Sequence, residues 1–242
     1  MKKTLSFASL FFLVLFVISC SKDKNPPVDV TVNTGLTASL AGFGSHGGTP
    51  SGVTYVLPNN IKVIGEIYGG FPGKSGFVGK KTVEAWQNYI ANAPKSNYIT
   101  HGIGQYVDLY MKLYNTSSNA SSFVFPAGLV FCNKSLNDST VIDTTQSGIV
   151  IIPDTVTIPG GDTLLLCLKS FCSNLNFHAP NANSIYTYKV VSNNDQMNRF
   201  IAALKGKISL AAHVGDIQSY VWKITNNTGL TAEDYAIIST WQ

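Results

Sequence analysis

The chain is short of charge. Only 12% of its 242 residues are Asp, Glu, Lys or Arg, and just 13 of them are acidic. That scarcity argues against a solvated helical bundle and against a disordered chain. It also leaves little material for paired catalytic carboxylates. Asp138, Asp143, Asp154 and Asp162 sit in turn-like stretches rather than in an acid–base pair. Cysteine is scarce too: there are four, with no CxxC pair and no zinc-site spacing. The histidines, His46, His101, His178 and His213, are far apart, so neither a metal nor a cofactor is expected. The formal net charge is +4. Lys2 and Lys3 contribute two of those charges, and no basic stripe carries interleaved aromatics, so nucleic acid is not an expected partner.

What is present begins at the first residue. Lys2 and Lys3 precede a mostly apolar run from Leu5 to Ile18, which ends in Val17-Ile18-Ser19-Cys20. A charged start, a short apolar segment and a small residue at its end are the layout of a secretory signal. The run falls short of the roughly 20 apolar residues that span a bilayer. With its terminal cysteine it resembles a bacterial lipoprotein signal carrying a lipobox. The resemblance implies that residues 1–19 are removed and that Cys20 becomes the acylated first residue. Residues 20–33, with Pro26-Pro27, have too little apolar surface to fold and read as a tether. The implied address is the cell envelope, as an outer-membrane lipoprotein facing the periplasm or the surface, with the membrane as partner through the lipid.

Hydrophobic residues make up 45% of the chain, and Gly, Asn, Ser and Thr are plentiful, which suits an exported β-rich protein. Residues 34–103 read as a β-rich segment with one helix. Val53–Leu57 and Ile61–Tyr68 are strand candidates around a Pro58-Asn59-Asn60 turn, and Thr82–Ala93 is the helix. Gly73-Lys74-Ser75 invites a phosphate-loop reading. It fails on spacing, because Tyr68 stands where the motif's first glycine belongs.

From 104 to 191 the hydrophobic period becomes two. Short strands separated by turns such as Pro126-Ala127-Gly128 and Pro159-Gly160-Gly161-Asp162 predict an antiparallel β-sandwich. The pattern resembles the immunoglobulin-like sandwiches of bacterial surface proteins. Residues 192–242 predict three helices packed on the rest. Met197, Phe200, Ile201 and Leu204 mark the first, Ile217, Tyr220, Val221 and Ile224 the second, and a capping box at Thr231–Asp234 opens the third. The expected class is therefore α+β: a sandwich with one inserted helix and a C-terminal helical cluster.

Cys172 stands out among the candidate site residues. With Cys20 lipidated, Cys132, Cys167 and Cys172 remain, an odd number, so one disulfide at most is expected. Cys132 with Cys167 is a possible pair. Cys167 and Cys172, five apart on one strand, should point to opposite faces and not pair. Phe171-Cys172, followed later by Ile217-Gln218-Ser219-Tyr220-Val221-Trp222, resembles the paired signatures of bacterial thioester domains, which are surface adhesins. The resemblance implies a thioester joining the Cys172 sulfur to the Gln218 acyl group in a dry pocket. Cys172 with His178 is an alternative nucleophile–base pair for a small cysteine hydrolase. All four turn aspartates precede Ser or Thr, a tripeptide that resembles the O-glycosylation motif of some exported Gram-negative proteins. The expected function is non-enzymatic: a lipid-anchored envelope module that binds a protein or glycan, or supports such a module.

Overall fold

The computed structural model describes residues 43–44, 50–69, 98–134, 145–181 and 183–242. The expectations for the signal, Cys20 and its tether, the Thr82–Ala93 helix, Gly73-Lys74-Ser75, Asp138 and Asp143 lie outside these residues.

Among the described residues, eleven strands precede three helices. The strands are β1 (Gly52–Thr54), β2 (Ile61–Val63), β3 (Ile67–Tyr68), β4 (Tyr98–His101), β5 (Tyr106–Asn115) and β6 (Ser121–Phe125). They continue as β7 (Leu129–Asn133), β8 (Gly148–Ile149), β9 (Asp154–Ile158), β10 (Thr163–Cys172) and β11 (Ile185–Ser192). The helices are α1 (Asp195–Leu204), α2 (Val214–Thr225) and α3 (Ala232–Thr240), with a 3-10 turn at Leu210–His213 before α2.

The sandwich expectation is corrected. Antiparallel pairing runs β5–β3–β11–β7–β8–β10 and returns to β5, closing a barrel of 6 strands. The fold is mostly β rather than α+β. Closure rests on β5 and β10, which pair without a break from Tyr114–Thr163 to Tyr106–Phe171. The very short β3 and β8 complete the ring. A sandwich and a barrel each ask a strand for one buried face, so period-two alternation cannot tell them apart.

The remaining strands decorate the barrel. β4 adds parallel to β10, whereas β1 adds antiparallel to β11 and β2 antiparallel to β5. Gly65, at φ +79°, breaks the expected Ile61–Tyr68 strand into β2 and β3. β6 and β9 form a separate two-stranded ribbon.

Pleating sorts the side chains into two cores. Val107, Leu109, Met111 and Leu113 of β5 meet Leu164, Leu166 and Leu168 of β10 inside the barrel. Phe123, Phe125, Val156 and Ile158 of the ribbon pack onto this same core. The other faces of β7, β8 and β10, with Val130, Cys132, Ile149 and Phe171, are covered by the helices. This explains why every residue of β7 is buried. Met197, Phe200 and Leu204 of α1, and Ile217, Val221 and Ile224 of α2, supply the covering face.

The helix boundaries follow their caps. The Asn194 side chain accepts from the Met197 N–H at 2.9 Å to start α1. The expected capping box at Thr231 and Asp234 is present in both directions. Asn227, at φ +64°, turns the chain out of α2.

Candidate functional site

The strand end at Cys172 is where most of the candidate residues meet. The β5–β10 ladder stops at Tyr106 opposite Phe171, one residue short of Cys172. The Gln218 carboxamide continues it. The Cys172 N–H donates to Gln218 Oε1 at 2.8 Å, and Gln218 Nε2 donates to the Cys172 carbonyl at 2.8 Å. Cys172 is 0% exposed and Gln218 1%, so both bonds are shielded from water.

The sequence therefore pointed to a real juxtaposition, but the amide meets the backbone of Cys172 rather than its sulfur. The thiol donates to the Asn174 carbonyl at 3.4 Å and accepts from the Asn174 N–H at 3.3 Å. Its side chain belongs to the barrel interior. Burial pushes the thiol above its ordinary value, and the Trp222 indole N–H and Asn174 N–H only partly offset this. A thiol held neutral in an apolar core is a poor nucleophile.

Asn174 was not visible in the sequence as a site residue, and it organises the same corner. Its Oδ1 accepts from the Ser147 N–H at 2.8 Å and from Ser173 Oγ at 2.9 Å. Its Nδ2 donates to the Gly44 carbonyl at 2.9 Å. Nothing in a Cys-Ser-Asn run signals such a role, because its partners come from distant segments.

The other expected pairings separate. His178 is exposed while Cys172 is sealed, so the structure does not bring these two together as nucleophile and base. The Cys132–Cys167 disulfide is corrected: Cys132, Cys167 and Cys172 are all free and buried. Cys132 lies opposite Thr187 on β11, whereas Cys167 lies between Tyr110 of β5 and Thr100 of β4, so different strands flank them. Cys172 joins the interior core with Leu164, Leu166 and Leu168, and alternation sends Cys167 to the other face, as expected. Burial pushes the Cys132 thiol up to about 11.

Above the sealed corner lies a different arrangement. Trp222 stands one helical turn after Gln218, on the same side of α2. Its indole N–H is buried with no hydrogen bond of normal geometry. Tyr106 stacks on it, with ring centroids 5.5 Å apart and planes 19° from parallel. Tyr106 is 53% exposed, and its backbone sits at φ +76°. For a bulky residue that is a genuine outlier, of a kind that costs about 1–3 kcal/mol. Sequence periodicity could not reveal it, since alternation reports faces and not backbone strain.

Elsewhere, His101 Nδ1 lies 2.5 Å from Asp154 Oδ2, joining β4 to the ribbon. Asp154 is thus engaged, and the neighbouring Thr155 is exposed. Asp162 Oδ1 accepts from the Thr163 N–H at 2.7 Å, which is turn chemistry. Among the described residues no group of His, Cys, Asp and Glu could hold a metal, and no helix is long and apolar enough to cross a membrane. Compared with protein-family models, curated proteins and solved structures, the chain matches none.

Proposed function

We propose that this chain is a lipid-anchored module of the bacterial cell envelope, tethered through Cys20, that binds a protein or glycan partner without catalysis. The observation that carries the reading is Tyr106. Its ring is half in solvent, one face is braced on Trp222, and its backbone is held in a strained conformation. Strain of this kind persists only where the surroundings impose it, and it clusters at sites that do work. A braced aromatic loses little entropy on binding and offers an apolar ring face with a polar tip, which suits a sugar ring or a partner's side chain. The buried, neutral Cys172 and its distance in exposure from His178 favour binding over cysteine hydrolysis.

The test compares wild type with Tyr106→Ala on a glycan array and by chemical crosslinking in intact envelopes. Partners lost or weakened at least tenfold in the variant support the reading. Partners held equally by both proteins, or none in either assay, remove it. Metabolic palmitate labelling that survives Cys20→Ala would remove the anchor.

A second reading rests on the contact of Cys172 with Gln218 in a dry corner. If the Sγ attacks Gln218 Cδ, the C–S bond forms, the C–N bond breaks, and the thiol proton leaves with ammonia. Both backbone hydrogen bonds would have to open first. Intact-protein mass spectrometry decides: a chain lighter than its sequence by one ammonia supports the thioester, and an unshifted mass ends it.

A further inference from the structure

One flank of α1 lines a cavity of about 430 Å³ that reaches Ile151, Leu204 and Leu210 of the core beneath the helices. Asn198, Ile201, Ala202 and Lys205 recur along the helix at the three- and four-residue spacing that puts them on one side. Ile151 and Ile152, in the connection from β8 to β9, form the facing wall. The volume lies within the range that encloses small ligands, and the walls are almost wholly apolar.

Its charge has one sign. Lys205 and Lys207 border the cavity, and among the described residues no carboxylate does. Among the described residues neither lysine forms an ion pair. Lys207 Nζ is fixed by the Ser239 carbonyl at 3.0 Å and the Trp241 carbonyl at 2.7 Å, so its charge is positioned without being neutralised. Lys205 is exposed and follows the last turn of α1. The carbonyl end of a helix attracts cations, which accounts for a lysine there. It does not account for two lysines beside one apolar slot.

We propose that this slot binds an aliphatic carboxylate, a long-chain fatty acid. The chain lies between α1 and residues 151–152, and the carboxylate pairs with the ammonium of Lys205. A neutral aliphatic molecule would fill the walls equally well but would leave the lysine unused. The site is separate from Tyr106 and does not depend on the function proposed for it.

The test uses the full chain in detergent and a palmitate analogue bearing a diazirine on its alkyl chain. After irradiation, the labelled peptides are mapped by mass spectrometry. Label should concentrate on residues 151–153 and 198–210, and excess palmitate should remove it. Ala202→Trp, at an exposed helix position, fills the slot and should cut labelling at least tenfold. Lys205→Glu, which reverses the charge at the rim and leaves the apolar walls in place, should cut it severalfold, and Tyr106→Ala should leave it unchanged. Scattered label, label that palmitate does not compete, or equal labelling of Ala202→Trp with its circular dichroism intact overturns the site. Equal labelling by the matching diazirine alcohol overturns the carboxylate.

Discussion

Two side chains one turn apart on α2 meet the same strand end with opposite outcomes. Gln218 has both ends of its amide bonded to Cys172 and is sealed from water. Trp222 points its N–H at the Cys172 thiol without a hydrogen bond of normal geometry, and carries a strained, half-exposed tyrosine. A buried polar group whose bonds are all made is what stability alone would select. A backbone strain imposed on a half-exposed aromatic is not. Gln218, which the sequence paired with Cys172, serves in this structure as a hydrogen-bonding neighbour of the strand, and Trp222 one turn on braces Tyr106, on which the proposed binding reading rests.

Breaking the Gln218 contact should produce the largest effect. Gln218→Ala orphans a buried N–H and a buried C=O, each costing about 1–3 kcal/mol, so unfolding free energy should fall by about 2–6 kcal/mol in urea titrations. A loss below about 1 kcal/mol would mean that water replaces the amide.

The sealed thiols should show in alkali. Burial raises Cys132 from 9.0 to about 11, so the folded state holds its proton more tightly than the unfolded chain does. Its contribution to stability is whole below the unfolded value and is lost as pH rises through the folded one, about 2–3 kcal/mol across the two units. Cys172, raised by the same cause, adds to this in the same direction. Cys132→Ala should flatten the alkaline limb of a stability–pH curve, and an unchanged limb would refute the assignment.

The strained side should respond with the opposite sign. Tyr106→Gly relieves a positive φ and should raise stability by about 1 kcal/mol while abolishing partner binding. Stability and binding lost together would make Tyr106 a packing residue. Trp222→Phe keeps an aromatic face but removes the indole N–H and part of the ring packed on Tyr106 and the barrel core, so stability should fall by about 1–2 kcal/mol. An unchanged stability would show that the indole contributes neither packing nor a polar contact there.

The acid limb offers the finest probe. Burial pushes against ionisation of Asp234, but hydrogen bonds from Lys223 and Thr231 outweigh it and hold the carboxyl below its ordinary value. The stability it gives is present above the unfolded value of 3.8 and is lost as pH falls through the lower folded one. Asp234→Asn should flatten that limb without touching the Cys172 corner.

Much of the architecture could be read locally. The alternation of β5 appears as one buried and one partly exposed face, as its sequence implied. The three C-terminal helices and the Thr231 capping box stand where expected, because periodicity and caps act within a few residues. Barrel closure could not be read this way. It depends on Thr163 finding Tyr114, and on two-residue strands too short to leave a pattern. The candidate site divides likewise. The pairing of Cys172 with Gln218 was suggested by motif, but which atoms of each residue meet was not.

The sequence by itself determined the export-like start, the β-rich composition, the strand faces and the helix caps, since each is set by residues close together in the chain. Only the tertiary structure decided that the sheet closes, that three thiols stay free and that Gln218 serves as a strand's missing neighbour. It alone holds Tyr106 in strain above Trp222. These outcomes depend on atoms brought together from segments far apart, and local chemistry leaves them open.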